Sequence, residues 1–167
     1  MKLWFIIRKI MKNSDGVLEN RPWMTEFLEQ VGMYYELIAF TEDKQKYGDL
    51  IIDIIDAKKI YFEHRFYRQH TVLIGNYFKK DISRIGRPMD KIIIVDDVPQ
   101  NIISQKENEI NIKPFWGDNF SDCILKELSN ILIKIANDGE EDVRISIEKY
   151  KDEIISKVTS NFSNRHE

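Results

Sequence analysis

The chain has 167 residues, about the length of one domain, and is long enough to bury a sizeable apolar core. Its formal net charge of −3 excludes a strongly basic surface, so we expect no direct binding to nucleic acid. The single cysteine, Cys123, cannot form an internal disulfide, which agrees with a reducing compartment.

The first part of the chain predicts a strand and then a helix. The apolar run at residues 3–10 is rich in bulky and β-branched side chains and predicts a strand. It is too short to span a membrane and has no signal-peptide cleavage site. Turn residues follow at 13–16, and residues 17–20 suit a return strand. Helical spacing from Pro22 to Gly32 then predicts a helix.

The rest of the chain continues the alternation, with apolar runs that are typical of buried parallel strands. The predicted strands are residues 34–40, 59–66, 69–74, 92–95 and 111–115, with a turn at Gly75-Asn76. The predicted helices are residues 42–55, 121–136 and 140–160, followed by a polar tail at 161–167. We therefore predict one α/β unit, a domain at residues 1–137 with a carboxyl-terminal helix and tail at 138–167. That last helix either docks on the domain or binds a partner.

Two predicted strands end in polar side chains. The buried strand at 34–40 leads to Thr41, and the one at 92–95 leads to Asp96-Asp97. If both strands are parallel, these residues meet at the carboxyl edge of the sheet, where α/β proteins bind ligands. A hydroxyl before a helix suits a phosphate oxygen, and two adjacent carboxylates suit Mg²⁺. Lys80, between the two strands in sequence, could bind the same phosphate.

Each of these residues also has a simpler interpretation. A threonine after a buried strand often caps the next helix, which is the alternative for Thr41. Adjacent aspartates often form a solvated turn, and a single lysine carries little information. Spacing alone therefore leaves phosphate binding as one hypothesis among several.

Many short motifs occur in order between Arg21 and Arg144, about three quarters of the chain. They are residues 21–22 (RP), 27–28 (FL), 35–41 (YELIAFT), 47–49 (YGD), 64–70 (HRFYRQH), 75–77 (GNY), 80–87 (KDISRIGR), 93–100 (IIVDDVPQ), 112–118 (IKPFWGD) and 142–144 (DVR). This series resembles phosphatases of the small C-terminal-domain phosphatase and NLI-interacting-factor type, members of the haloacid dehalogenase superfamily. The resemblance implies an α/β fold with a Rossmann-like parallel sheet and a small β insert.

The resemblance implies catalytic roles for three residues. Thr41 matches the hydroxyl that binds the phosphoryl group, and Lys80 matches the lysine that steadies phosphate and nucleophile. Lys79 competes for the lysine role, because this sequence has one residue more than the common pattern at this point. Asp96 matches the first aspartate of the family's fourth motif.

The resemblance also implies a cofactor and a substrate contact. Asp96 and Asp97 match the pair that helps to hold Mg²⁺, although the family more often has asparagine at the second position. Arg68 falls in an insert that lies over the active site in this family. It is a candidate contact for a phosphopeptide, and a surface or structural salt bridge is its alternative role.

The motif with which the family begins, Asp-x-Asp-x-Thr, is absent from the 167 residues. In the family its first aspartate is the nucleophile and its second is the general acid and base. The first aspartate here is Asp15, and residues 3–10 resemble the hairpin strand that follows the catalytic loop in relatives. The implied fold therefore lacks its central first strand, and no nucleophile is assigned. Either residues 3–10 take that place, or a protein partner covers the gap, or the sequence is truncated at its start.

Three hypotheses about function follow. The first is a Mg²⁺-dependent phosphoserine/phosphothreonine protein phosphatase of the RNA polymerase II C-terminal-domain type, acting on a phosphoprotein in the nucleus or cytoplasm, with this chain inactive or truncated. The second is a non-catalytic binding module, similar to the phosphatase-like subunit of the mitochondrial inner-membrane import translocase and located in mitochondria. The third is a gene fragment without a stable fold.

Overall fold

A five-stranded parallel sheet forms the centre of the structure, which is a computed structural model. It describes residues 3–7, 20–98, 102, 105–117 and 119–159, and only the backbone of residues 3–7. The strands are β1 (Leu3–Ile7), β2 (Tyr35–Phe40), β3 (Phe62–Phe66), β6 (Ile92–Asp96) and β7 (Glu109–Asn111), in the spatial order β3-β2-β1-β6-β7. The predicted turn at 13–16, nearly all of the return strand at 17–20 and the tail at 161–167 lie outside the described residues.

The central position of the sheet is occupied by β1. It pairs in parallel with β2 on one side and with β6 on the other, and Ile7 lies opposite both Ala39 and Val95. Of the three alternatives that the sequence left open, the structure shows the first, in which the amino-terminal strand takes the central place, so the expectation of a missing central strand was wrong. Pairing on both sides satisfies two backbone ladders that would otherwise be exposed, so the reason for expecting a partner at this gap falls away.

Within the described residues, five α-helices pack around the sheet. They are α1 (Met24–Gly32), α2 (Gln45–Ile55), α3 (Ile124–Asn137), α4 (Val143–Lys149) and α5 (Lys151–Lys157). The single helix predicted at 140–160 is wrong, because Tyr150 leaves the helical conformation and separates α4 from α5. The Asp138 carboxylate, which accepts a hydrogen bond from the Tyr150 hydroxyl, holds this corner. Within the described ranges, no helix is both long and apolar enough to cross a membrane.

The main core lies between the sheet and the helices α1, α3, α4 and α5. Val143, Ile154 and Val158 are buried in it together with side chains of β2 and β6, so the carboxyl-terminal helices are docked. Burial of each such aliphatic side chain contributes roughly 1.5–3 kcal/mol. A second cluster on the opposite face of the sheet includes Phe40 and Ile94.

The last strand of the sheet begins earlier than predicted. Residues 111–115 were expected to form it, whereas β7 ends at Asn111. Beyond it, Ile112 N donates to the Asp96 carbonyl oxygen and Lys113 N donates to the Val158 carbonyl oxygen. These bonds direct the chain along the edge of the sheet and away from further strand pairing.

The small β insert is present as an antiparallel hairpin of β4 (Val72–Ile74) and β5 (Tyr77–Lys79). The turn between them includes Gly75 at a φ of 61°, a left-handed conformation that glycine adopts without a steric penalty. The predicted strand at 69–74 is correspondingly shorter, because residues 68–70 form a 3-10 turn. The chain then leaves this hairpin at Lys80, whose backbone forms an isolated parallel bridge with Ile102.

Candidate functional site

Thr41 lies directly after β2, at the carboxyl edge of the sheet. Its hydroxyl donates to the Asp43 carboxylate at 2.9 Å and accepts from Asp43 N at 3.1 Å. The N-cap of α2 is Lys44, since α2 begins at Gln45 and not at the predicted residue 42. The capping interpretation of Thr41 is therefore excluded, and its hydroxyl is held in a local turn next to the strand end.

Lys80 and Asp96 form an ion pair that is completely buried. Lys80 Nζ lies 2.8 Å from Asp96 Oδ2, and neither side chain is exposed to solvent (0% for both). The other oxygen, Asp96 Oδ1, accepts a hydrogen bond from Val98 N at 2.8 Å. Lys79 instead lies in β5, where it pairs with Val72. Of the two candidate lysines, Lys80 is thus the one whose ammonium group reaches the strand end.

The register of the sheet places the two strand ends at the same level. Ala39 and Val95 both lie opposite Ile7, so Phe40 and Asp96 are level and two strand spacings apart, about 10 Å. Lys80 Nζ lies 5.7 Å from the centre of the Phe40 ring as well as beside Asp96. The lysine therefore lies between the ends of β2 and β6, close to where Thr41 and Asp97 begin the following loops.

Arg68 is brought to the loop that carries Thr41. Its Nε donates to the Glu42 carbonyl oxygen at 2.7 Å, and its guanidinium lies 4.6 Å from the centre of the Phe78 ring in the hairpin. Among the described residues, no carboxylate forms an ion pair with Arg68, so the alternative of a structural salt bridge is not observed. The guanidinium lies at the edge of the site, next to the loop that carries Thr41.

The described residues do not by themselves make up a Mg²⁺ site. Both oxygens of Asp96 are engaged, one by Lys80 and the other by Val98 N. No group of three or more histidine, cysteine or acidic side chains suited to a metal ion occurs in the described part of the chain. A cation at Asp96 would share that carboxylate with the Lys80 ammonium, which already neutralises its charge.

Glu109 is a titratable group near the site that the sequence did not reveal. Burial raises the pKa of its carboxyl group from 4.5 to about 7, and the nearby Asp96 charge adds to the effect, whereas Lys106, Asn111 and Lys80 oppose it. The residue precedes the strand predicted at 111–115, so no pattern marked it. Its place near Asp96 depends on the pairing of β7 with β6, in which Glu109 lies opposite Ile94.

We predict that Glu109→Gln makes the free energy of unfolding less sensitive to rising pH. Between the unfolded pKa near 4.5 and the folded pKa near 7, the folded state binds a proton that the unfolded state lacks, so the unfolding free energy falls as pH rises. Because this side chain is partly exposed, the fall that Glu109 causes is on the order of 1 kcal/mol. Urea unfolding from pH 4.5 to 8 measures it. Glu107→Gln, at a neighbouring exposed side chain, is the control, and equal pH dependence of Glu109→Gln and the parent would contradict the prediction.

The fold and these positions define a class of protein. A parallel α/β sheet with a hydroxyl, a buried lysine and an aspartate pair at its carboxyl edge fits the haloacid dehalogenase-like fold that the motifs predicted. Arg68 and the hairpin next to it add the small insert that was expected. Membership of this class concerns the architecture of the sheet and the location of the candidate site at its carboxyl edge.

Comparisons with known proteins narrow the class to a family. A family model described as NLI interacting factor-like phosphatase matches residues 2–144. The Drosophila melanogaster protein Phosphatase Herzog is 35% identical over 116 residues, which are 70% of this chain and 32% of that protein. The human CTD small phosphatase-like protein is 35% identical over 108 residues, 65% of this chain and 38% of that protein. The chain belongs to the NLI interacting factor-like phosphatase family.

A solved structure supports the fold. Fcp1, described as a fission yeast RNA polymerase II CTD phosphatase, matches with a TM-score of 0.56 and 13% identity, over 99% of this chain and 59% of that one. At this identity the likeness shows the fold alone. The chain spans about a third of the length of the curated relatives named above, 32% and 38%.

Proposed function

We propose that this chain binds the phosphoryl group of a phosphoserine or phosphothreonine in a protein, and that the 167 residues alone do not hydrolyse it. The observation that carries the proposal is the buried Lys80, whose ammonium lies between the ends of β2 and β6. A phosphate would share the Lys80 ammonium with the Asp96 carboxylate, and the low local dielectric strengthens the attraction between ammonium and phosphate. Family membership supports the choice of phosphate over other anions.

Each proposed site residue has a defined part in binding. Lys80 would share its charge between Asp96 and the phosphate, and the Thr41 hydroxyl would turn from Asp43 to donate to a phosphate oxygen. Arg68, which has no carboxylate partner among the described residues, would contact the peptide next to the phosphoresidue. Phosphate binding in this form needs no Mg²⁺, because Lys80 already neutralises the Asp96 carboxylate.

The absence of hydrolysis follows from the missing nucleophile. No Asp-x-Asp occurs in the sequence, and no aspartate lies in β1, the strand that occupies the centre of the sheet. A carboxylate that attacks phosphorus cannot be replaced by Lys80 or Thr41, which are placed to bind and not to form an aspartyl-phosphate. The family is generally metal-dependent, and Mg²⁺ chemistry would require carboxylates that the described residues do not supply.

The relatives guide the choice of partner and compartment. Their names describe them as phosphatases, so we favour a phosphoprotein of the nucleus or cytoplasm as the binding partner. The mitochondrial import module receives no support from these relatives and is not favoured.

We predict that the chain binds a short phosphoserine peptide and not its unphosphorylated form, equally well in EDTA and in Mg²⁺. Thr41→Val is expected to weaken this binding about tenfold, since it removes one hydrogen bond to a charged group. Isothermal titration calorimetry measures both effects. Thr25→Val, at an exposed position of α1, is the control. Equal binding of both peptide forms, or binding that requires Mg²⁺, would overturn the proposal.

A further inference from the structure

Tyr67 is a buried tyrosine between the end of β3 and the 3-10 turn at residues 68–70, and the sequence assigned it no part in phosphate binding. It is 5% exposed and packs with Ala39 of β2 and Ile52 of α2. Ala39 lies two residues before Thr41 in the chain. The small cluster around Tyr67 is therefore next to the loop that carries the candidate hydroxyl group.

The residues on both sides of Tyr67 hold the loop after β2. Thr41 N donates to the Phe66 carbonyl oxygen at 2.9 Å, and Arg68 N donates to the Asp43 carbonyl oxygen at 3.0 Å. The Arg68 side chain also donates to a carbonyl oxygen of this loop. These bonds connect the end of β3 to the loop after β2, so the backbone of Tyr67 has a fixed place beside Thr41.

The Tyr67 ring and the Thr41 methyl group fill the space over one glycine. A Cβ atom added at Gly48, in α2, would lie 2.9 Å from Tyr67 Cδ1 and 3.0 Å from Thr41 Cγ2. Both distances are below the separation of about 3.5–4.0 Å at which carbon atoms pack. Because Gly48 has no side chain, the ring and the methyl group can lie side by side against α2.

The hydroxyl group of Tyr67 anchors the far end of the ring. It donates to the carboxylate of Asp49, which follows Gly48 in α2. Burial raises the pKa of the Tyr67 hydroxyl to about 12, and the bond to Asp49 adds to this effect while Arg65 opposes it. The hydroxyl group therefore stays protonated and remains a donor at neutral pH. The ring is thus fixed at one end by the backbone of Tyr67 and at the other by Asp49.

The position of the Thr41 methyl group determines the position of the Thr41 hydroxyl group. Both groups are attached to Cβ of a β-branched side chain, so a single χ1 angle places both of them. With the methyl group against α2, Thr41 Oγ1 lies beside Asp43, and only its hydrogen has to turn toward a phosphate oxygen. A threonine that was free to change χ1 would have to be ordered when phosphate binds, which lowers affinity roughly two- to tenfold.

We propose that Tyr67 is a positioning residue of the phosphate site, and that its ring holds Thr41 in the χ1 rotamer that presents the hydroxyl group to the phosphoryl group. This inference rests on the proposed function. Tyr67 itself does not contact the phosphate, because its ring is buried between β2 and α2 and its hydroxyl group is bonded to Asp49. Its effect on phosphate binding therefore passes through Thr41.

A double-variant cycle tests this role by calorimetry with the short phosphoserine peptide and the full chain. We expect Tyr67→Met to weaken binding about fivefold, within the range for one side chain that must be ordered. Tyr67→Phe keeps the ring and should recover most of this loss. Tyr67→Met/Thr41→Val should bind no more weakly than Thr41→Val, because no hydroxyl group remains to be positioned. Tyr61→Met, at a partly buried tyrosine that also bonds a carboxylate, that of Glu29, is the matched control.

A second measurement does not depend on peptide binding. Three-bond NMR couplings across the Thr41 Cα–Cβ bond should report one χ1 rotamer in the free parent chain and an average of several in Tyr67→Met, or in Tyr67→Leu if the methionine variant does not fold. If Tyr67→Met binds as tightly as the parent, or if its loss and that of Thr41→Val multiply, Tyr67 does not act through Thr41 and the proposed function stands. If the parent binds no phosphopeptide but the couplings change as expected, the proposed function fails while the hold of Tyr67 on Thr41 stands. Unchanged couplings overturn the inference whatever the binding.

Discussion

The 167-residue chain is expected to hydrolyse p-nitrophenyl phosphate no faster than buffer, with or without Mg²⁺. Removal of the nucleophile from a serine protease lowers kcat by roughly six orders of magnitude, and here both aspartates of the Asp-x-Asp motif are absent. Without those aspartates, added Mg²⁺ has no catalytic arrangement to complete. Release of p-nitrophenol over hours at several enzyme concentrations measures the rate.

The control for this prediction is phosphopeptide binding by the same preparation, which shows that the chain is folded and that its site is intact. Hydrolysis that depends on Mg²⁺ and disappears in Asp96→Asn would contradict the prediction. It would mean that another carboxylate of these residues attacks phosphorus.

Replacement of Lys80 by methionine is expected to lower the free energy of unfolding by about 3–5 kcal/mol, because it leaves the Asp96 carboxylate buried beside an apolar side chain. Methionine retains most of the length of the lysine side chain, so the loss of charge dominates over the loss of volume. Urea unfolding followed by far-ultraviolet circular dichroism measures the change. The same variant should lose phosphopeptide binding.

Two further variants separate the effect of the lost charge on stability from the effect of altered packing. Lys80→Met/Asp96→Asn removes both charges and is expected to recover most of the lost stability, whereas phosphopeptide binding stays lost. Lys151→Met breaks an exposed ion pair with Glu148, 3.0 Å apart, and should cost less than about 0.5 kcal/mol. A Lys80→Met variant as stable as Lys151→Met would show that the Asp96 charge is not held by Lys80 in solution.

The elements that the sequence predicted correctly are those whose pattern is local. Mostly apolar runs identified β2 and β6, and helical spacing identified α1 and α3, because each pattern reflects burial on one or both faces of the element itself. Thr41 and Asp96 were located in the same way, since each follows or ends such a run. The break at Tyr150 was missed because it depends on hydrogen bonds to Asp138, a residue outside the predicted helix.

The sequence by itself determined the α/β class, the family motifs and the residues that end β2 and β6, because these depend on side chains near one another in the chain. Only the tertiary structure decided that residues 3–7 fill the centre of the sheet, since a short apolar strand can pair in several places and its neighbours come from distant segments. Which of Lys79 and Lys80 places its ammonium group beside Asp96 also depends on contacts with another strand. The raised pKa of Glu109 likewise depends on burial and on the charge of a residue in another strand. Those long-range contacts carry no periodic signal in the sequence.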